Sequence, residues 1–78
     1  MYFVYILKCS NSQYYTGMTS NLRLRLQAHM KGGVKFTKPF LPVKIIFIAC
    51  FSNKKKAGFF EKYLKTHSGK AFRNKRLI

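Results

Sequence analysis

Residues Tyr2–Lys8 read YFVYILK. This short, unbroken apolar run, rich in aromatic and β-branched side chains, predicts a central strand covered on both faces. Ser10-Asn11-Ser12 carries turn chemistry. Tyr14–Met18 then predicts a second strand that returns as a hairpin. Thr19 or Ser20 is placed to cap a helix from about residue 21 to 31, because Leu22, Leu26 and Met30 recur at the spacing of one apolar stripe. Gly32-Gly33 ends it, and residues 34–42, with Pro39 and Pro42, read as a loop. Val43–Phe51 predicts a third strand. Ser52-Asn53 precedes a second helix over about 54–67, with Ala57, Phe60 and Leu64 inward and Gly69 as its stop. Lys70–Ile78 predicts a short third helix. The order β-β-α-β-α-α implies an α/β (α+β) domain spanning residues 1–78, with a small, three-stranded, mostly antiparallel sheet and helices packed on it.

Composition supports a packed core. Of 78 residues, 47% are hydrophobic and 17% aromatic, and large rings bury much area in a chain too short for a large core. Charge changes the picture more. Sixteen Lys and Arg face one acidic residue, Glu61, for a net charge of +15. Such a chain repels itself unless anions neutralise it, and nucleic acid supplies them at high linear density. A membrane is the rival anion, but no apolar run is long enough to span one and no helix pairs a basic face with an apolar one for interfacial anchoring. Lys54, Lys55 and Lys56 occupy the first turn of the second helix, where its dipole disfavours cations. With Lys35 and Lys38 they are the candidate nucleic-acid contacts. Cys9 and Cys50 fall outside any metal-finger spacing and read as buried free thiols. No signal-peptide pattern opens the chain, so the cytoplasm is the expected compartment.

Five further residues stand out. Tyr5 lies in the first strand, Tyr15 opens Tyr15-Thr16-Gly17 in the second, Arg25 and His29 are four apart on the first helix, and Glu61 lies in the second helix. Each alone has an ordinary structural reading: core tyrosines, a solvated arginine, a helix-surface histidine, and a glutamate paired with Lys65. As an ordered set, Phe3-Val4-Tyr5, Tyr15-Thr16-Gly17 with its Gly17, the run Leu22–His29, Gly33–Thr37, Pro42-Val43-Lys44 and Phe60–Lys65 resemble the GIY-YIG endonuclease superfamily, in particular its small stand-alone bacterial members. Phe3 stands in place of the family's first Gly, Phe36 where many relatives carry Tyr or His, and Asn74 is only a loose counterpart of an Asn near the C-terminus.

The resemblance implies a metal-dependent endonuclease hydrolysing DNA phosphodiester bonds, in repair or recombination. Tyr5 would take the proton from water with His29 assisting, Tyr15 would hold water or phosphate, Arg25 would fork onto phosphate oxygens, and Glu61 would hold one Mg²⁺ or Mn²⁺. The residue types suit that chemistry. A phenol is a poor base at its free pKa of about 10, and surrounding cations together with a bound metal are expected to lower it. Mg²⁺ needs only one or two carboxylates beside water and phosphate. The partner class is nucleic acid, DNA ahead of RNA. The alternatives are a nucleic-acid-binding module without cutting and a basic structural protein.

Overall fold

The computed structural model describes residues 1–78. Strand β1 is Tyr2–Lys8, β2 Tyr14–Thr19 and β3 Lys44–Phe51; helix α1 is Leu22–Met30, α2 Lys54–Leu64 and α3 His67–Arg76. A short 3₁₀ turn at Lys38–Phe40 interrupts the long loop. The sheet is antiparallel in the order β2-β1-β3, the α+β architecture expected, with the apolar run in the middle.

The pleat of β1 feeds two cores. Val4 and Ile6 point to one face and pack with Ala57 and Leu64 of α2. Tyr5 and Leu7 point to the other, where they meet Cys9, Val43, Leu22 and Leu26. Both sets are fully buried in β1, so that strand is covered on both sides because helices lie on both sides. Phe60 fills the first core between Phe47 and Phe51, its ring centroid 6.3 and 5.6 Å from theirs.

Helix boundaries follow local hydrogen bonding. Asn21, not Thr19 or Ser20, caps α1, its side chain accepting from Leu24 N–H at 3.1 Å; Thr19 Oγ1 instead accepts from the Asn21 N–H. At the other end Gly32 takes φ +75° and donates to His29 O, while Gly33 donates to Ala28 O. This is the paired closure that a left-handed glycine permits. Asn53 caps α2 by accepting from Lys55 and Lys56 N–H, which ties down the lysine-rich first turn despite the unfavourable dipole.

Three further sequence expectations fail. Helix α2 stops at Leu64 rather than near 67, because Thr66 caps α3: its Oγ1 accepts from Gly69 N–H and donates to Tyr63 O. Gly69 therefore lies inside the first turn of α3 rather than ending α2. Cys50 is exposed, since it points to the side of β3 that α1 leaves open, while Cys9 is buried as expected.

Gly69 is needed for close approach. A Cβ there would lie 1.7 Å from the Tyr63 carbonyl oxygen, whereas one at Gly58 in α2 would meet nothing. Gly69→Ala should force the two helices apart at a cost of about 1–3 kcal/mol, lowering the melting temperature by roughly 5–20 °C. Gly58→Ala should raise it, since Ala is the better helix former by up to about 1 kcal/mol. Thermal denaturation followed by circular dichroism checks both; an unchanged Gly69→Ala melt would show that the helix junction is looser than described.

Candidate active site

Tyr5 is the centre of the site because of its strand partner. The register sets Tyr5 opposite Gly17, and the phenol lies over that glycine: a Cβ at position 17 would be 2.5 Å from the Tyr5 hydroxyl and 2.6 Å from Cζ. Gly17 is thus the gap through which the ring crosses β2. The hydroxyl reaches α1 beyond it, 2.9 Å from His29 Nε2 and 3.3 Å from Arg25 Nε.

Arg25 and His29 share a helix face, and that face turns toward the sheet. His29 is fully buried, whereas Met30, expected on the inner stripe, is 53% exposed. Leu22 and Leu26 do pack inward on the Tyr5 core. Histidine replaces the last apolar position of the stripe because polar partners await it: Nδ1 lies 2.8 Å from Thr37 Oγ1, and Thr37 is itself fully buried.

One proton arrangement satisfies every partner. Arg25 Nε can only donate, so the Tyr5 oxygen accepts from it and can give its own hydrogen to His29 Nε2. At the far end Thr37 Oγ1, 3.5 Å from Val34 O, can donate there and accept from His29 Nδ1–H. Both ends are compatible with the same neutral tautomer, and no buried side-chain polar atom lacks a partner. Thr37 is a site residue that the sequence reading quoted within a motif but gave no role. Its signal is weak: a lone threonine in a basic, proline-containing loop.

The protein's own cations do not by themselves produce the expected shift. The Tyr5 pKa is raised, not lowered: burial outweighs the neighbouring Arg25 charge and hydrogen bond, with Tyr15 adding to the rise. The His29 pKa is lowered, first by burial and then by the Arg25 charge. Arg25 is pushed up by the hydroxyls of Tyr5 and Tyr15. The resting site is a neutral phenol beside a neutral imidazole, next to a firmly protonated guanidinium whose side chain is otherwise exposed.

Tyr15 packs its ring edge on His29 at 5.0 Å between centroids and tilts against Tyr5 at 6.3 Å. Tyr5, Tyr15, Arg25 and His29 therefore form one cluster. Glu61 does not join it directly. It lies on α2, across the sheet, with Oε2 bonded to Lys65 Nζ at 3.0 Å. Yet Glu61's partner Lys65 lines, with Tyr15, one cleft of about 270 Å³ at the free edge of β2, while Glu61 itself lines a separate depression on the α2 side. Lys54 and Lys55 surround Glu61 in a shallow depression with Met18. Lys56 is exposed on the same first turn, and Lys35 and Lys38 are exposed on the loop that carries Thr37. The candidate lysines thus divide between the two faces.

No group of three or more His, Cys, Asp or Glu converges to hold a metal. Glu61 fits Mg²⁺ in kind, as a hard-oxygen donor 20% exposed beside a depression open to water and phosphate, but Lys65 holds one of its oxygens and must let it go.

Comparison with known proteins agrees with the arrangement. The family model described as the GIY-YIG catalytic domain matches residues 1–76. A UPF0213 protein of Clostridium perfringens is 44% identical over 78 residues, covering 99% of this chain and 80% of its own. One of Bacillus licheniformis is 40% identical over 70 residues, covering 88% and 72%. The solution structure of the UPF0213 protein of Bacillus halodurans superposes with a TM-score of 0.58 at 31% identity, covering 91% of this chain and 80% of that one. No helix here is long and apolar enough to cross a membrane.

The buried neutral imidazole makes stability pH-dependent. Its folded pKa lies below the unfolded value of about 6.5, so as pH falls the unfolded chain binds the proton first. Stability is full above about 6.5 and declines below it, by at most about 1.4 kcal/mol per pH unit. Urea unfolding between pH 5 and 8 should show this decline in the natural protein and lose it in His29→Gln. An identical slope in both would place the titration elsewhere.

Proposed function

Since the chain belongs to the GIY-YIG catalytic-domain family, a family of endonucleases, we propose that it hydrolyses phosphodiester bonds of DNA with the help of one Mg²⁺ or Mn²⁺, in repair or recombination. The observation that carries the reading is the directed chain from Arg25 through Tyr5 to His29, with Tyr15 against it. A structural tyrosine needs one partner; this one is aimed at a base and held by a cation.

The residues divide the work. Arg25 spends Nε on Tyr5 and retains its terminal N–H groups for phosphate oxygens, where fixed geometry stabilises developing charge. Tyr5 takes a proton from the attacking water at its hydroxyl oxygen as its own proton passes to His29 Nε2. No free phenolate is needed, which suits a raised pKa. Thr37 holds the imidazole in the accepting tautomer. Burial beside Arg25 opposes an imidazolium, and the negative charge gathering on the phosphate offsets that cost. Tyr15 positions the phosphate at the β2 edge. Glu61 would hold the metal ion, which when bound neutralises phosphoryl charge, after Lys65 has turned away.

A second reading, binding without cutting, is favoured by one observation: Glu61 is already paired and lies across the sheet from Tyr5. Labelled nicked, branched and single-stranded DNA incubated with Mg²⁺, Mn²⁺ or chelator separates the two. The natural protein should cut only with metal. Glu61→Gln and Tyr5→Phe should each lose roughly 10²-fold or more; Glu61→Gln should melt normally, whereas Tyr5→Phe, which leaves the buried His29 Nε2 without its partner, should lose about 1–3 kcal/mol of stability and stay folded. Full cleavage by Glu61→Gln would overturn the metal role, and salt-sensitive binding with no cleavage by the natural protein would establish the binding module.

A further inference from the structure

The cleft at the β2 edge has a composition that the proposed chemistry does not require. It joins Phe36 and Tyr15 from one side of the sheet to Tyr14, Lys65, Lys70 and Arg73 from the other. Phe36 is 61% exposed, yet its ring is not loose: it tilts against Tyr15 at 5.3 Å and leaves its outer face open. Arg73 sits 4.7 Å from the Tyr14 ring centroid, with its Nε fixed by Asn74 Oδ1 at 3.0 Å. Aromatic faces interleaved with cations are the combination that holds unstacked bases and their phosphates.

We propose that this cleft is a subsite for one unpaired nucleotide of a DNA strand, with the base on Phe36 and the adjoining phosphate on Lys65, Lys70 and Arg73. The occupant follows from size and charge. A volume of about 270 Å³ lies just below the range of drug-sized pockets and suits one flat ring system with its sugar. An acidic peptide would satisfy the three cations and leave the exposed aromatic face unused. A base within an intact duplex has both faces stacked and offers none to Phe36. The subsite also adjoins the catalytic cluster, because Tyr15 belongs to both: its ring touches Phe36 on one side and His29 on the other. A nucleotide seated here brings its phosphate to the side of Tyr15 that faces Lys65, where Glu61 is bonded. The inference deepens the nucleic-acid reading above and rests on it. It adds that the preferred substrate has an unpaired nucleotide beside the bond to be cut.

Fluorescence anisotropy with chelator present tests the subsite apart from any cleavage. Three labelled probes of matched phosphate number serve, each long enough to cover the site sizes of such proteins: a single strand of about 24 nucleotides, a strand of abasic sugar-phosphates of the same length, and a blunt duplex of about 12 base pairs. The natural protein should bind the single strand better than the abasic strand. Phe36→Ala should lose about tenfold on the single strand, the worth of one base–aromatic stack, with little change on the other two. Phe36→Trp should restore it. Lys70→Gln should weaken all three and flatten the salt dependence. Equal effects of Phe36→Ala on all probes, or none on any, would overturn the subsite. Absence of cleavage in metal would bear only on the nuclease reading, since binding is read without metal.

Discussion

The structure is organised around one buried hydrogen-bond chain, Arg25–Tyr5–His29–Thr37–Val34. Four polar side chains are brought to one place in a domain with little interior to spare, and three of them, Tyr5, His29 and Thr37, are fully buried. Buried polar groups are tolerated only when each finds a partner, so each neighbour is constrained in turn. Position 17 must be glycine for the phenol to cross the strand. The inner face of α1 gives up an apolar residue for histidine. The loop after α1 must return to place Thr37, which the Gly32 and Gly33 closure of α1 begins. A network of this kind is costly if half-satisfied and rigid when complete.

The second constraint is charge. One ion pair, Glu61–Lys65, is present, and exposed pairs of this spacing contribute only tenths of a kcal/mol. The remaining cations are left for a polyanion. They lie on both sides of the sheet: Lys35 and Lys38 beside the Tyr5 face, Lys54–Lys56, Lys70 and Arg73 beside the other. Only β2 separates these groups at the sheet edge, since β1 is central and β3 lies at the far side. On the function proposed above, a strand of nucleic acid passing that edge would meet both groups, with Tyr15 and Lys65 along its path. The weak Glu61–Lys65 pair is suited to such a place, because an arriving phosphate can compete for the ammonium at little cost.

Much of the fold was legible because its signals are local. The apolar runs of β1 and β3, the Asn53 cap and the Gly32-Gly33 stop act within a few residues of where they are read. The failures share a different cause: tertiary contact overrides pattern. Met30 fits the apolar stripe by spacing, but His29 has the partners that make burial favourable. Gly69 reads as a stop, yet it is required by the approach of α3 to the Tyr63 carbonyl, which no local rule reports. Cys50 alternates correctly along β3 and is exposed only because α1 does not extend over it. In the site, Tyr5, Tyr15, Arg25 and His29 were singled out together and do lie together, while the placement of Glu61 across the sheet and the role of Thr37 depend on packing. The raised Tyr5 pKa of the chain alone has the same origin: the count of cations is in the sequence, but the depth of burial that outweighs them is not.

The orientation of the proton chain is the claim on which the chemistry depends, because Tyr5 can take a proton only if His29 Nε2 is free to receive one. Nitrogen-15 NMR of the imidazole groups near neutral pH reads this in the free protein, without substrate or metal. The account predicts a neutral His29 with Nδ1 protonated and Nε2 bare. A His29 protonated at Nε2, or present as imidazolium at neutral pH, would contradict it.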